Sequence, residues 1–332
     1  MASGAVPSGG GPQIAVVVPS HNRPLRLRWL LNALEDQTLP RERWEVVVAH
    51  DSSTPETELL LNGHALAAEG ALRHLTFAPG RASASKLRNA AWRSTSAPLV
   101  AFTDDDCRPP PEWLERALAA AWRHPEAIVQ GATKPDPDER AVLRAAPHPR
   151  TQWIDPPVPW AQTCNIVYPR QVLERAGGFL EDPPLPVGED TELAARARAA
   201  GTAYLGAPEV LTYHAVEANA LPTRLRGIWR WRDLPLLVKR HPSVRGDFPL
   251  RVFWKWAHVW LPLAVAGGLL GRRRAVVLVL VLPWAWETRM RYTRGFRGRL
   301  RGLSQLPGRA LIDAVEMSAL ACGSIEHRTF LL

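Results

Sequence analysis

Pro98-Leu99-Val100-Ala101-Phe102-Thr103-Asp104-Asp105-Asp106-Cys107 decides how this chain is read. The run 98–102 has no polar residue to face solvent. That is the pattern of a strand covered on both faces, as in a parallel sheet. Carboxylates at the C-terminal end of such a strand lie where open α/β sheets bind ligands. Three adjacent negative charges repel one another. A hard divalent cation such as Mg²⁺ or Mn²⁺ relieves that repulsion through oxygen ligands.

Outward from this segment the chain alternates strand and helix patterns. Strands are expected at 14–18, 44–49, 72–77, 98–102, 127–131, 162–168, 203–205 and 210–214. Helices are expected at 25–34, 57–68, 82–94, 110–122, 139–145, 170–176 and 189–200. Strands separated by helical segments predict an α/β fold, Rossmann-like, with a mostly parallel sheet flanked by helices. Prolines crowd 134–159, which reads as a long irregular connection inside the domain. Residues 1–12 read as a mobile tail without the basic and apolar regions of a signal peptide. The sheet domain is expected over 13–220, followed by a helical, basic and apolar extension over 221–332.

The 332 residues carry a net charge of +9, unevenly placed. Residues 221–332 hold 20 Lys and Arg against 6 Asp and Glu, while the first 220 residues are net −5. The same extension holds seven of the 14 tryptophans. Trp beside Arg beside apolar runs is the composition of a bilayer interface rather than of a solvated nucleic-acid surface, so nucleic acid is excluded as partner. Cys107, Cys164 and Cys322 are scattered and odd in number. They form neither a disulfide framework nor a CxxC metal site, and point to a reducing compartment.

Three polar clusters each follow an expected strand: Pro19-Ser20-His21-Asn22-Arg23, His50-Asp51-Ser52-Ser53 and Asp104-Asp105-Asp106. In a parallel sheet all three would meet on one edge. The first cluster has no glycine, unlike the phosphate loop a sugar-nucleotide pyrophosphorylase would need there. Glu189-Asp190 opens a further helix. Acidic residues in a first helical turn stabilise the helix dipole, which would also fix a reactive carboxylate in place.

With these stretches the chain resembles the family 2 glycosyltransferases of GT-A fold, over about residues 13–214. The matching segments are Val16 to Arg23, Val46 to Ser53, Lys86-Leu87-Arg88-Asn89-Ala90-Ala91, Phe102 to Cys107 as the DXD segment, Gly177-Gly178-Phe179, and Gly188 to Leu193. The resemblance implies a metal-dependent, inverting transfer from a nucleoside-diphosphate sugar, UDP-sugar by default, to an acceptor hydroxyl. Pro19, His21, Asn22, Arg23, Asp51, Arg88, Asp104 and Asp105 would bind the nucleotide sugar, with Asp51 accepting hydrogen bonds from the base. Asp106, Asp104 and His214 would hold a divalent cation, Mg²⁺ or Mn²⁺, against the donor diphosphate. Asp190, beside Glu189, would take the acceptor proton. Trp160, Cys164 and Asn165 would border the acceptor, and Cys107 would pack as a small apolar group. The alternative is a non-catalytic nucleotide-sugar-binding or scaffold protein on the same core.

Residues 252–270 form a 19-residue apolar run, about 28 Å as a helix, and 275–286 a shorter one. Gly271-Arg272-Arg273-Arg274 lies between them and opposes a spanning hairpin. A re-entrant or interfacial helical pair on an anionic membrane is expected, at the cytoplasmic face, with a glycan or lipid-linked acceptor; the alternative is a soluble helical subdomain, with a buried apolar helix, packed on the catalytic domain.

Overall fold

The computed structural model describes residues 11–182, 184–270, 274–288 and 295–332. The expectations for most of the 1–12 tail, and for Gly271, Arg272 and Arg273, lie outside the described residues. The chain divides into two compact units. One comprises the chain up to Pro137 with Thr151–Leu185 and Glu189–Ala215; the other comprises Asp138–Arg150, Pro186–Gly188 and Val216–Leu332.

The first unit runs β1 (Ile14–Ser20), α1 (Pro24–Glu35), β2 (Trp44–His50), α2 (Pro55–Gly63), α3 (Ala65–Ala68), β3 (Leu72–Thr76), α4 (Ala84–Arg93), β4 (Leu99–Phe102), β5 (Cys107–Arg108), α5 (Trp113–Arg123) and β6 (Ile128–Pro135). The chain then enters the second unit with α6 (Arg140–Ala145). It returns with β7 (Ile166–Pro169), α7 (Arg170–Ala176), α8 (Glu189–Ala199) and β8 (Tyr204–His214). Among the described residues eight strands make one sheet, in the order β3-β2-β1-β4-β7-β6-β8-β5.

Alternation along the buried strands divides the core. Ile14, Val16 and Val18 of β1 face one layer with Leu27, Leu30, Leu31 and Leu34 of α1 and Trp113 of α5. Val17, Val47, Val100 and Phe102 face the other, with Leu87 of α4 and Leu193 of α8. Period-2 strands thus feed two helical layers, and each β1 valine is fully buried.

The sheet is mixed, so "mostly parallel" holds only approximately. β1 pairs in parallel with β2 and β4, β2 with β3, and β6 with β8. β7 runs antiparallel to both β4 and β6, and β5 antiparallel to β8. The two reversals at β7 cancel. β8 therefore points the same way as β4, and its last residue, His214, arrives at the edge where β1, β2 and β4 end.

Several element boundaries differ from the sequence reading. The helix expected over 57–68 breaks at His64, whose imidazole accepts from Leu66 N–H at 3.3 Å and so caps α3. The strand expected over 162–168 begins only at Ile166, although the Asn165 carbonyl before it still accepts from Gly131 N–H at 3.0 Å. The two short strands expected near 203–214 are one strand, β8, with an irregular register opposite Gly131/Ala132.

The second unit holds α9 (Leu221–Ile228), α10 (Leu234–Arg240), α11 (Trp256–Leu270), α12 (Arg274–Thr288), α13 (Gly295–Ser304) and α14 (Leu306–Glu326). α11 and α12 each have 15 residues, about 22 Å. Among the described residues no helix is long and apolar enough to cross a membrane. Lys255 anchors this unit. Its ammonium lies 2.6 Å from Asp313 and 2.5 Å from Glu316 of α14. Trp284 of α12 donates to Asp313 at 2.8 Å. Burial opposes the charge on Lys255, but Glu316 and Asp313 outweigh it and raise the pKa.

Candidate active site

The loop after β1 and the loop after β2 are tied together. Asn22 adopts φ 53°, a left-handed conformation that asparagine tolerates. Its backbone N–H donates to Ser52 Oγ at 3.0 Å, and its Oδ1 accepts from Ser53 N–H at 2.8 Å. His21 Nδ1 meets Asp51 Oδ1 at 2.7 Å, while Asp51 Oδ2 accepts from Ala82 N–H at 3.1 Å. Asp51 is buried, so its carboxylate is held in place for a ligand's N–H groups. Pro19 is half-buried, just before Ser20 ends β1.

The acidic triplet splits three ways. Asp105 turns inward, where Ser20 Oγ donates to it at 2.8 Å and Arg23 lies 3.6 Å away. Burial, then the charge of Asp106, pushes its carboxyl up to about 7. Asp105 thus braces the loop after β1 rather than opening to solvent. Asp106 accepts from Arg23 Nη1 at 2.7 Å and lies 3.4 Å from His214 Nε2. Asp104 accepts from Arg88 Nη2 at 3.0 Å.

Arg88, from α4, is the residue that joins the parts. It is only 5% exposed. Its other nitrogen, Nη1, donates to Glu189 Oε1 at 2.8 Å. Its guanidinium lies 5.6 Å from the centroid of Phe179. Burial works against its charge, but Asp104, Glu189 and Asp190 outweigh burial and hold its pKa above the ordinary value. Asp190 follows at the start of α8, where Thr191 N–H donates to it at 2.8 Å. Burial first, then Glu189, pushes the Asp190 carboxyl up to about 7. A carboxylate titrating near neutrality suits general-base work.

Asp104, Asp106 and His214 offer ligand atoms all within 4.8 Å of one another. Two carboxylate oxygens and an imidazole nitrogen form a donor set that fits Mg²⁺ or, better, Mn²⁺. The Arg23 guanidinium lies 2.7 Å from Asp106, on the Oδ2 side, while His214 approaches Oδ1.

Not every expected site residue turns towards the cleft. Asn165 is buried, and its side chain bonds Ala132 O and Val210 O at 2.7 Å each and Trp113 Nε1 at 2.9 Å. It clamps β6 and β8 to α5 inside the core. Cys164 and Cys107 are buried too, and burial raises both thiols far above neutrality. Trp160 stays half-buried beside α8, its carbonyl accepting from Thr191 Oγ1 at 2.8 Å. Ser20 and Asn89 were missed as individual contributors. Asn89 accepts from Phe179 N–H at 2.9 Å and donates to Phe179 O at 2.7 Å, fixing the Gly177-Gly178-Phe179 turn. Gly178 sits at φ +74°, where a Cβ would come within 2.4 Å of Asn89 Oδ1. A polar residue ending the apolar run of β1, and another on the apolar face of α4, were the available signals.

The family described as glycosyl transferase family 2 matches residues 15–177. The chain belongs to glycosyl transferase family 2. It is 30% identical over 285 residues to validoxylamine A glucosyltransferase of Streptomyces hygroscopicus subsp. jinggangensis, covering 73% of this chain and 63% of that protein. The chain thus spans less than two thirds of the length of that relative. Among solved structures, a mannosyltransferase of Pyrobaculum calidifontis in complex with GDP-Man and Mn²⁺ is similar with TM-score 0.57 and 20% identity, over 96% of this chain and 87% of that one. S. aureus TarS 1–349 in complex with UDP follows with TM-score 0.51 and 18% identity, over 92% and 90%. These likenesses establish the GT-A glycosyltransferase fold for the family 2 domain.

Proposed function

We propose that this chain transfers a sugar from a nucleoside-diphosphate sugar to an acceptor hydroxyl, in a metal-dependent reaction with inversion. The observation that carries the reading is the Asp104–Arg88–Glu189 bridge. One buried guanidinium spans the acidic triplet after β4 and the acidic pair that opens α8. One guanidinium thus joins the carboxylates that would hold a cation against a diphosphate to the pair that would supply the base, with Asp51 at the end of β2 on the same sheet edge, and this supports the reading.

In this reading Asp51 accepts hydrogen bonds from the base, while Pro19, His21 and Asn22 shape its pocket. Asp104, Asp106 and His214 would hold the cation, which when bound neutralises charge on the leaving diphosphate. Arg23 and Arg88 add positive charge beside it. Asp190 takes the acceptor proton as the acceptor oxygen bonds to the anomeric carbon. The bond from that carbon to the diphosphate oxygen breaks, and the nucleoside diphosphate leaves. Attack opposite the leaving group inverts the anomeric centre. UDP-glucose is the first donor to try, since the 30% identical relative is named a glucosyltransferase. GDP-mannose and UDP-N-acetylglucosamine follow.

A donor panel with Mn²⁺ or Mg²⁺ tests this, reading donor turnover and thermal shift. Asp190→Asn should lower turnover about a thousandfold while donor binding persists. Full activity in Asp190→Asn, or no response to any donor, sinks the proposal. Binding without turnover in the unaltered chain would instead favour the non-catalytic alternative.

The second unit exposes Leu263, Val265 and Leu269 of α11 and Leu282 and Trp286 of α12. With its excess of basic residues, this unit is proposed to rest on an anionic bilayer at the cytoplasmic face, near a lipid-linked or other glycan acceptor. At about 22 Å each, α11 and α12 suit an interfacial position rather than a span.

A further inference from the structure

A different group of side chains stands on the opposite face of the same strand end. β2 and β3 are parallel, with Val48 opposite His74 and His50 opposite Thr76. The period of two puts His50, His74 and Thr76 on one face. α2 packs over that face and delivers Glu58. His50 Nε2 lies 3.2 Å from Glu58 Oε1, and His74 Nε2 lies 3.0 Å from Glu58 Oε2. All three ligand atoms fall within 4.8 Å of one another. The Thr76 hydroxyl donates to Glu58 Oε1 at 2.6 Å, so the carboxylate is oriented by a partner behind it.

We propose that His50, Glu58 and His74 form a second metal site, which takes a borderline divalent ion such as Zn²⁺ in preference to Mg²⁺. Two imidazoles and one carboxylate are the donor set of three-ligand zinc sites that keep a position for water. Mg²⁺ prefers oxygen ligands throughout. His50 is 1% exposed while Glu58 and His74 are partly open, which gives the ion a route in from one side. Burial lowers the His50 pKa, which favours the neutral imidazole that ligates. The hydrogen bond from Thr76 keeps the Glu58 pKa low, so the carboxylate is ionised.

The comparable group His258–Asp313–Glu316 in the second unit has the Lys255 ammonium on both carboxylates, which repels a cation. The charges that act most on His50 are Glu58, His74 and Asp51, none of them a lysine or arginine. An ion here would chelate α2 to β2 and β3 one residue ahead of Asp51. The site stands independently of the glycosyl-transfer reading, because none of its three ligands belongs to the cleft.

The test uses full-length protein stripped with chelator, in the unaltered chain and in an Asp106→Asn/His214→Ala background that weakens the other cation position. Zn²⁺ should raise Tm by about 5 °C at a hundredfold excess over Kd, in both proteins. Mg²⁺ should not. After dialysis against dilute Zn²⁺, elemental analysis should find one equivalent in the double variant. Co²⁺ should give visible absorption there. Glu58→Gln and His74→Ala in the same background should abolish the Zn²⁺ shift, the bound equivalent and the Co²⁺ band. No bound equivalent in the double variant overturns the proposal, and so does an undiminished Zn²⁺ response in Glu58→Gln and His74→Ala. If neither of those two variants folds, the equivalent and the Co²⁺ band in the double variant decide alone.

Discussion

Replacing Arg88 by alanine should damage stability and proton transfer separately, and the two effects can be read apart. Arg88 is buried between Asp104 at 3.0 Å and Glu189 at 2.8 Å. Removing one member of a buried ion pair leaves the partners without compensation, at about 3–5 kcal/mol. At 2–4 °C per kcal/mol, that lowers Tm by about 10 °C. The second effect falls on Asp190. Its carboxyl is pushed up to about 7 by burial and by Glu189, while Arg88 pulls it down. In the proposed role of base it would work ionised, so the rate should rise with pH through about 7 in the unaltered chain. Without Arg88 the pKa climbs further, and the rising limb moves to higher pH. Below the limb, each unit of displacement costs about tenfold in the reactive fraction. Much of the activity lost at pH 7 should therefore return at alkaline pH. Arg88→Lys keeps a charge but not the two-pronged geometry, and should shift the limb less. The assay is kcat/KM for donor consumption across pH 5.5–9.5 (an assay range of about four units,), with Tm measured in parallel. A limb that stays in place in Arg88→Ala, with Tm unchanged, would refute the claim that this guanidinium couples the two acidic groups.

Further outcomes follow from the same contacts. His214→Ala removes the imidazole 3.4 Å from Asp106, and should erode a Mn²⁺ advantage over Mg²⁺ by about tenfold in metal-activation titrations, since imidazole favours Mn²⁺. Asn89→Ala strands the Phe179 N–H and the Trp92 indole N–H, and should cost about 3 kcal/mol in urea denaturation without moving the pH–rate limb. Leu269→Glu/Trp286→Glu should abolish co-sedimentation with anionic vesicles while leaving turnover of a water-soluble acceptor intact. Retained sedimentation would remove the membrane from the account.

The sequence showed what depends on local pattern and missed what depends on the path of the chain. β1, β2 and β4 are apolar runs that end in polar clusters, so their shared edge followed from parallel pairing alone. His214 reaches that edge only because β7 reverses against both of its neighbours. Nothing in the composition of Ile166–Pro169 announces an antiparallel strand. The family resemblance, not the pattern, supplied His214. Likewise, Arg88 and Glu189 are separated by 101 positions, and no periodicity couples them. Lys86, Arg88 and Arg93 share α4, yet only Arg88 is enclosed, which the spacing of the three does not announce. Asp105 is the converse case. Its place in an acidic triplet suggested a ligand-facing carboxylate, but the three side chains diverge, and the middle one is drawn inward to Ser20. Adjacent residues in a turn cannot all face one ligand. Asp104 and Asp106 bring ligand atoms within 4.8 Å of His214, while Asp105, raised to about 7 by burial and by Asp106, braces the loop behind them, and that divergence eases the repulsion of three neighbouring carboxylates at the end of a buried strand.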